Sequence, residues 1–367
     1  MKKYIKRVFP ERFDKYWNSI KDKENLDKTL KEITENFIES DSYDLVSNYW
    51  HVLNIQNYKS LIKSGLSKYG STIARNYYTF SEIFHDEWFD QAIKNLEDKP
   101  FNIQSNEIFK KQDGFSLKES IGYNYICYIL FYNLKKLASF QNINKIKDDA
   151  FLGFNDPYIN IENFKVTTDK IASLLDYEKI SKAFEINSFK KILEIGAGSG
   201  RTCETVLSIK KNLKYVICDI SPAIYISFKR LKLSFPEKKI NLLININDGK
   251  KLTKEIEEND ISFIFPHQLR IIKDKFFDLA LGIDCFHEMD KKVIDYYFDN
   301  LNKIVNYVYF SIWEKTTVPY SKNIFKKENR LDYSLNDYKI PKNWEQIFKE
   351  KLVFPSNQLS LGFKVLG

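Results

Sequence analysis

Two different periods divide the chain. In its first part apolar residues recur every three or four positions: Leu45, Val46, Tyr49, Trp50 and Leu53 form one stripe, and Trp88, Phe89, Ala92, Ile93 and Leu96 another. That spacing gathers them on one face of a helix, so residues 1–150 are predicted to be helical throughout, with these stripes as core faces. The breakers "KSGLSKYGST" and "LEDKPFN" suit the short connections of an all-α region, and no internal repeat is found. Residues 151–188 read as a connection. "FLGFNDPYIN" concentrates Gly153, Asn155, Asp156 and Pro157 as a linker or loop, and "TTDKIASLLDYEKI" follows as a helix capped by Thr167 or Thr168.

From Lys190 onward short apolar runs alternate with helical patterns, which predicts a parallel sheet with helices on both faces over residues 189–367. "KKILEI" is its first strand and "KYVICDI" its second; the helix "PAIYISFKRLKLSF" has Pro222 near its first position. "DISFIF" and "FFDLALGI" are further buried strands, and the helix "KKVIDYYFDNLNKIV" precedes the strand "YVYFSIW". "NLLINI" (241–246) is either an extra edge strand or a loop. At the end "KLVF", the turn "PSN" and "QLSLGFKVLG" are predicted to pair as an antiparallel hairpin.

Composition narrows the class. The 367 residues suffice for two domains, and 29 Phe with 23 Tyr supply a sizeable core, which excludes a disordered chain. A net charge of +8 raises nucleic acid or a membrane surface as partners, but the lysines are interspersed with acids, as in "KDKENLDKTLKEITEN". A solvated surface and no nucleic-acid partner are therefore expected. Cys127, Cys203, Cys218 and Cys285 have neither zinc nor disulfide-framework spacing, so free thiols in a reducing compartment are expected. The basic start lacks an apolar core segment, and "IGYNYICYILFYNL" is too short to span a bilayer and carries Asn124 and Asn133. The expectation is a cytoplasmic protein without a membrane span; a homo-oligomer is compatible with it.

The candidate chemistry begins at "KKILEIGAGSGRTCETVL", a strand, a tight turn and a helix. Glycine is needed there because the chain reverses sharply and its backbone approaches a ligand. Dinucleotide folds use G-x-G-x-x-G, but the glycines here are Gly196, Gly198 and Gly200, and the sixth place is Arg201. What remains, Glu194 followed by G-x-G-x-G with Ala197 between the first two glycines, resembles motif I of S-adenosylmethionine-dependent methyltransferases. Asp219 ends the second strand just over twenty residues on, where a carboxylate can accept hydrogen bonds from both ribose hydroxyls, with Ile220 beside it. Its other reading is the cap of the helix after "DISP". Glu194, inside a strand buried on both faces, needs a partner such as the cofactor's amino group. "FPHQLRIIKDKFFDLALGID" resembles the methyltransferase stretch in which a loop after the third strand touches adenine, which implies adenine-side roles for His267 and Gln268; the other reading is that both are ordinary loop polars. "NDPY" resembles an amino-methylating motif in part, and reads as a turn.

Taken in order, "YW" (49–50), "LGFNDPY", "LEIGAGSGR", "DISPAIYIS", "PHQL", "FHEM" and Trp313 resemble the bacterial sugar O-methyltransferase family, from about residue 40 to the C-terminus. The resemblance implies a Rossmann-like methyltransferase sheet with a C-terminal antiparallel hairpin, S-adenosylmethionine as cofactor, and a sugar, nucleotide-sugar or saccharide acceptor. It also implies a role in surface polysaccharide or glycosylated metabolite biosynthesis, with residues 1–150 covering the cofactor site and shaping the acceptor pocket. A non-sugar small-molecule acceptor, or a protein that binds the cofactor without catalysis, are the alternatives.

A sugar hydroxyl is a poor nucleophile until a base takes its proton or a metal raises its acidity. "GIDCFHEMD" follows the fourth strand at the carboxyl edge of the sheet, where open α/β folds place their ligands. His287 is thus the candidate general base, neutral and basic near its ordinary pKa of about 6.5. Glu288 or Asp284 would orient it or contact the acceptor. No metal is expected; the rival is a magnesium site of Asp284, Glu288 and Asp290.

Overall fold

The computed structural model describes residues 12–21, 23–76, 105–319, 330–352 and 358–367. The stripe from Trp88 to Leu96, the "LEDKPFN" connection and the "PSN" turn lie outside the described residues.

Helices α1 (Phe13–Ser19), α2 (Lys28–Glu39), α3 (Asn48–Ser64) and α4 (Tyr69–Thr72) come first, followed by α5 (Ser105–Ile108), α6 (Leu117–Leu134) and α7 (Asp149–Gly153). Their ends follow from local chemistry. Asp27 accepts the amides of Thr29 and Leu30 to start α2, and Ser116 and Glu119 form a capping box on α6. Gly65, at φ 69°, ends α3 in a conformation that an L side chain rarely adopts. The two asparagines of the apolar run on α6 are satisfied inside the fold. Asn124 donates to the carbonyls of Glu107, Ile108 and Lys110, and Asn133 donates to that of Ile129. Among the described residues no helix is long and apolar enough to cross a membrane.

The connection at 151–160 is less irregular than its composition suggests. Helix α7 occupies its start, and a small hairpin of β1 (Ile159–Ile161) and β2 (Phe164–Val166) extends from its end. Three-residue strands are too short to show an alternating pattern. Helix α8 (Thr168–Ala183) follows, and Thr167 is its cap, accepting the Lys170 amide.

The α/β part runs β3 (Lys191–Ile195), α9 (Arg201–Ile209), β4 (Lys214–Cys218), α10 (Ala223–Ser234), β5 (Ile240–Leu242), α11 (Gly249–Glu258), β6 (Ile261–Ile264), β7 (Phe277–Ile283), α12 (Lys291–Ile304) and β8 (Val305–Trp313). It continues with β9 (Lys315–Pro319), β10 (Arg330–Ser334), β11 (Trp344–Lys351) and β12 (Gln358–Val365). Eight of these strands form one sheet in the order β11-β12-β8-β7-β3-β4-β6-β5. β3 pairs in parallel with β4 and β7, whereas β12 is antiparallel to both β8 and β11. This is the expected Rossmann-like sheet, with an antiparallel pair of strands from the C-terminal part of the chain added at β8. β5 makes "NLLINI" an edge strand for its first part, and the separate β9–β10 hairpin was not foreseen from the pattern.

The first helices do not enclose a core of their own. Phe13, Trp17, Ile33, Phe37 and Tyr58 belong to one buried cluster with Ile217 and Phe263 of the sheet, Phe265 just after β6, and Ile224 of α10. α1–α3 are therefore held against the carboxyl side of β4 and β6 by shared apolar burial. The chain order reverses direction across β3 and β7, and the crevice beyond their carboxyl ends is the place such folds reserve for ligands.

Candidate functional site

β3 ends in Gly196, and the turn to α9 contains three left-handed glycines: φ is 66° at Gly196, 58° at Gly198 and 80° at Gly200. A Cβ on Gly196 would stand 2.7 Å from the Cβ of Cys285, so a side chain there would push away the loop after β7. A Cβ on Gly198 would meet nothing within 4 Å, because that residue faces open space. The space is a cavity of about 410 Å³ lined by Gly196, Ala197, Gly198 and Ser199 on this side. Gly200 instead packs toward Ser227 and Leu231 of α10 and does not line it.

Asp219, at the end of β4, closes the turn. Its Oδ2 accepts the Gly198 amide at 2.9 Å and its Oδ1 accepts the Ile220 amide at 2.7 Å. Helix α10 begins only at Ala223, after Pro222, and takes no side-chain cap, which rules out the capping role for Asp219. A carboxylate has about four acceptor positions, so two backbone bonds leave capacity on the side that lines the cavity. Burial pushes its pKa up to about 6, against the pull of the two amides.

The opposite wall comes from the segment after β7. Asp284 has φ 54°, and its carboxylate accepts the Ser311 hydroxyl at 3.2 Å from β8. It also faces the Arg201 guanidinium at 3.5 Å, which in turn pairs with Asp176 at 3.2 Å and donates to Ser173 at 3.0 Å. Arg201, in the sixth place of the glycine motif, thus ties the loop after β7 to α8. Burial raises Asp284, and Arg201 opposes that shift. His287 and Glu288 follow in a short turn, and both line the cavity. The His287 ring packs edge-on to Trp313 with centroids 6.1 Å apart, and its buried Nδ1 has no hydrogen-bond partner. Burial holds His287 down to about 3 and pushes Glu288 up to about 8, the latter with help from Asp284. The imidazole is therefore neutral, as expected, but a much weaker base than its ordinary pKa suggests.

The third wall was not read from the sequence. Ser47, Trp50, Asn54 and Asn57 all line the cavity, and their spacing places them on one face of α3. Trp50, part of the apolar stripe, packs against the core and lines the cavity as well. Thr168 and Asp169, at the start of α8, also line it, with the Ser199 hydroxyl 3.5 Å from Asp169 Oδ2. Only the offset of this polar set from the apolar stripe signalled it.

Four expected cofactor contacts are placed elsewhere, Gly200 among them. Glu194 is buried away from the cavity, where Tyr215 donates its hydroxyl to Oε2 at 2.7 Å; burial pushes its pKa up to about 7 despite that bond. Gln268 is fully buried and uses its amide within the fold, accepting from the Phe265 amide and donating to the carbonyls of Leu243 and Ile246. His267 pairs with Ser42 at 2.8 Å and lines a separate polar pocket with Asn36, Glu39 and Asn247. "NDPY" is a turn: Asn155 has φ 51°, and Asp156 is buried against Arg230 at 2.7 Å. Among the described residues no group of three or more His, Cys, Asp or Glu side chains is gathered to hold a metal, which leaves Asp284, Glu288 and Asp290 without a shared centre. All four cysteines are free and buried.

No family model and no curated protein matches the chain. Among solved structures, the pyocyanin biosynthetic protein PhzM is 12% identical over 78% of this chain and 70% of its own, with a TM-score of 0.36. An S-adenosylmethionine-dependent methyltransferase from Clostridium acetobutylicum is 12% identical over 53% of this chain and 91% of its own, at 0.34. The PH0226 protein of Pyrococcus horikoshii is 12% identical over 52% and 89%, also at 0.34. With scores this low, the reading of the site rests on its own residues.

Proposed function

We propose that this protein is an S-adenosylmethionine-dependent O-methyltransferase that transfers a methyl group to a hydroxyl of a sugar or sugar-containing small molecule. The observation that carries the reading is one cavity with two kinds of wall. On one side stand the left-handed glycine turn and Asp219 at the ends of adjacent parallel strands; on the other stand Asp284, His287 and Glu288. The residues fit the cofactor. Asp219 keeps acceptor positions for two ribose hydroxyls, and Gly198 leaves room for a ligand against the backbone, with Ala197 beside it in the cavity wall. In this reading the cofactor's amino group is assigned to Asp169 and not to Glu194, an assignment supported by Asp169 lining the cavity while Glu194 does not.

The bound cofactor supplies an electrophilic methyl group carried on a sulfonium. The chain has to hold the acceptor hydroxyl in line and receive its proton. His287, neutral throughout the working range, accepts that proton, while Glu288 and Asp284, in the same wall of the cavity, contact the acceptor. Arg201 keeps Asp284 in place through its bridge to Asp176.

The sugar half of the reading is supported by the family resemblance of the sequence and by the polar α3 face of Ser47, Asn54 and Asn57. A second reading, a hydroxylated non-sugar small molecule, is favoured by the apolar stretch of wall from Leu45, Ile73, Ile126 and Leu130. Purified protein is incubated with methyl-labelled S-adenosylmethionine and two acceptor panels, one of nucleotide sugars and saccharide fragments, one of hydroxylated aromatics. Labelled product from the first panel supports the proposal, and product from the second alone supports the alternative. No S-adenosylhomocysteine from either would contradict an enzyme at this site.

A further inference from the structure

We infer that Asn54 orients the acceptor and that it reads two adjacent hydroxyl groups, a vicinal diol. The inference rests on the cavity being a methyl-transfer site and adds the chemistry by which the acceptor is recognised.

Asn54 is 1% exposed, and neither its Oδ1 nor its Nδ2 has a hydrogen-bond partner. Other buried amides of this fold behave differently. Gln268 makes three bonds, and Asn124 makes four. A carboxamide buried with both ends unused costs free energy that folding alone does not recover, so such a group in a cavity wall marks a ligand contact. Asn54 lines the same cavity as His287 and Glu288. The helix that carries it is fixed to their loop, because Ser47 at the start of α3 donates its hydroxyl to the Glu288 carbonyl at 3.3 Å. Asn54 lies two helical turns along the same face, about 10 Å from that contact at 1.5 Å per residue.

The carboxamide sets one donor and one acceptor side by side in a plane. A vicinal diol meets both: one hydroxyl donates to Oδ1 while the oxygen of its neighbour accepts from Nδ2. Because each hydroxyl can donate or accept, the match holds whichever way the amide is turned. A lone hydroxyl leaves half of the amide unused, and a carboxylate sets its negative oxygen against Oδ1. Trp50 and Trp313 line the same cavity and offer apolar surface to the ring that bears the diol. A pyranose and a catechol share this chemistry.

The test compares wild type with Asn54→Leu, a substitution of similar volume that removes an unpaired buried amide and so should raise the melting temperature. Probes are the methyl pyranosides of glucose, mannose, galactose and rhamnose, and catechol, each beside a counterpart lacking one hydroxyl of the pair. The expected result is at least one diol accepted by wild type, with its counterpart about tenfold or more lower in kcat/KM, the worth of one lost hydrogen bond. In Asn54→Leu the preference collapses while the affinity for S-adenosylhomocysteine is unchanged. The pyranosides and catechol then tell which ring carries the diol. Equal use of diol and counterpart by wild type, an unchanged preference in Asn54→Leu, or no diol accepted by a protein that binds S-adenosylhomocysteine would each overturn the inference. Failure of wild type to bind S-adenosylhomocysteine would instead remove the methyl-transfer reading beneath it.

Discussion

Asp219 and His287 show how one environment, burial, has opposite consequences for an acid and a base. Asp219 is pushed up to about 6, so it is ionised and able to accept ribose hydroxyls only above that pH. S-adenosylhomocysteine affinity should therefore fall as pH drops below about 6, by up to about tenfold per unit, as expected for a single proton released on binding. Asp219→Asn should flatten that profile, and Asp219→Ala should cost about 1.5–3 kcal/mol at neutral pH; titration calorimetry over pH 5–8 checks both. For His287 the sign is reversed. Its pKa near 3 means that no acid limb of the rate profile belongs to it, whereas Glu288 near 8 ionises on the alkaline side. Turnover should thus rise toward pH 8 and lose that rise in Glu288→Gln. His287→Ala should lower turnover by about 10² to 10⁴ with cofactor affinity intact, and a wild-type-like rate would take His287 out of the mechanism. Residue spacing revealed the glycine turn and Asp219 because both are set by the strand–turn–helix geometry. It could not reveal which face of β3 carries Glu194, since a strand buried on both sides gives no polar alternation to read. The same limit applies to Gln268, whose partners Leu243 and Ile246 are distant in sequence.

At the scale of elements, the legible ones were long or strongly patterned. β3, β4, β7, β8, β12, α10 and α12 were expected; the antiparallel partner of β12 was expected at "KLVF" (351–354), whereas β11 runs earlier, over Trp344–Lys351, and shares only Lys351 with that stretch. The hairpins β1–β2 and β9–β10 were not expected, because β1 and β2 have only three residues each and β9 and β10, unlike β3 and β4, lack a continuous apolar run. The polar face of α3 was missed for a different reason: a helix that closes a cavity buries polar residues too, so an apolar stripe alone does not mark the whole inner face. What joins α10 to the rest is also a long-range feature. Arg230, 3% exposed, pairs with Asp156 at 2.7 Å and Glu204 at 3.3 Å, tying α10 to the loop after α7 and to α9. Arg230→Met would leave two buried carboxylates without their cation and should destabilise the fold by about 3–5 kcal/mol. Urea unfolding measures this; an unchanged midpoint would show that water reaches the carboxylates and that the pairing is not structural.

For the molecule as a whole, α1–α4 share one apolar cluster with the sheet while α6 packs in a second with β1, β2 and α8, and the cavity lies where α3, α8 and the carboxyl edge of the sheet meet. The positive net charge of +8 does not alter that picture. "NDPY", the one stretch that resembled a base-flipping motif, is occupied by the Asp156–Arg230 pair and by the Pro157 carbonyl, which accepts the Tyr123 hydroxyl at 2.6 Å. The central claim is that this cavity binds S-adenosylmethionine and not a dinucleotide, because Arg201 replaces the sixth-position glycine while Asp219 is kept at the ribose position. Calorimetric titration of the wild-type protein with S-adenosylhomocysteine and, separately, with NAD tests it most directly. The account predicts saturable binding of S-adenosylhomocysteine, weakened by Asp219→Ala, and no binding of NAD; tight NAD binding with no response to S-adenosylhomocysteine would contradict it.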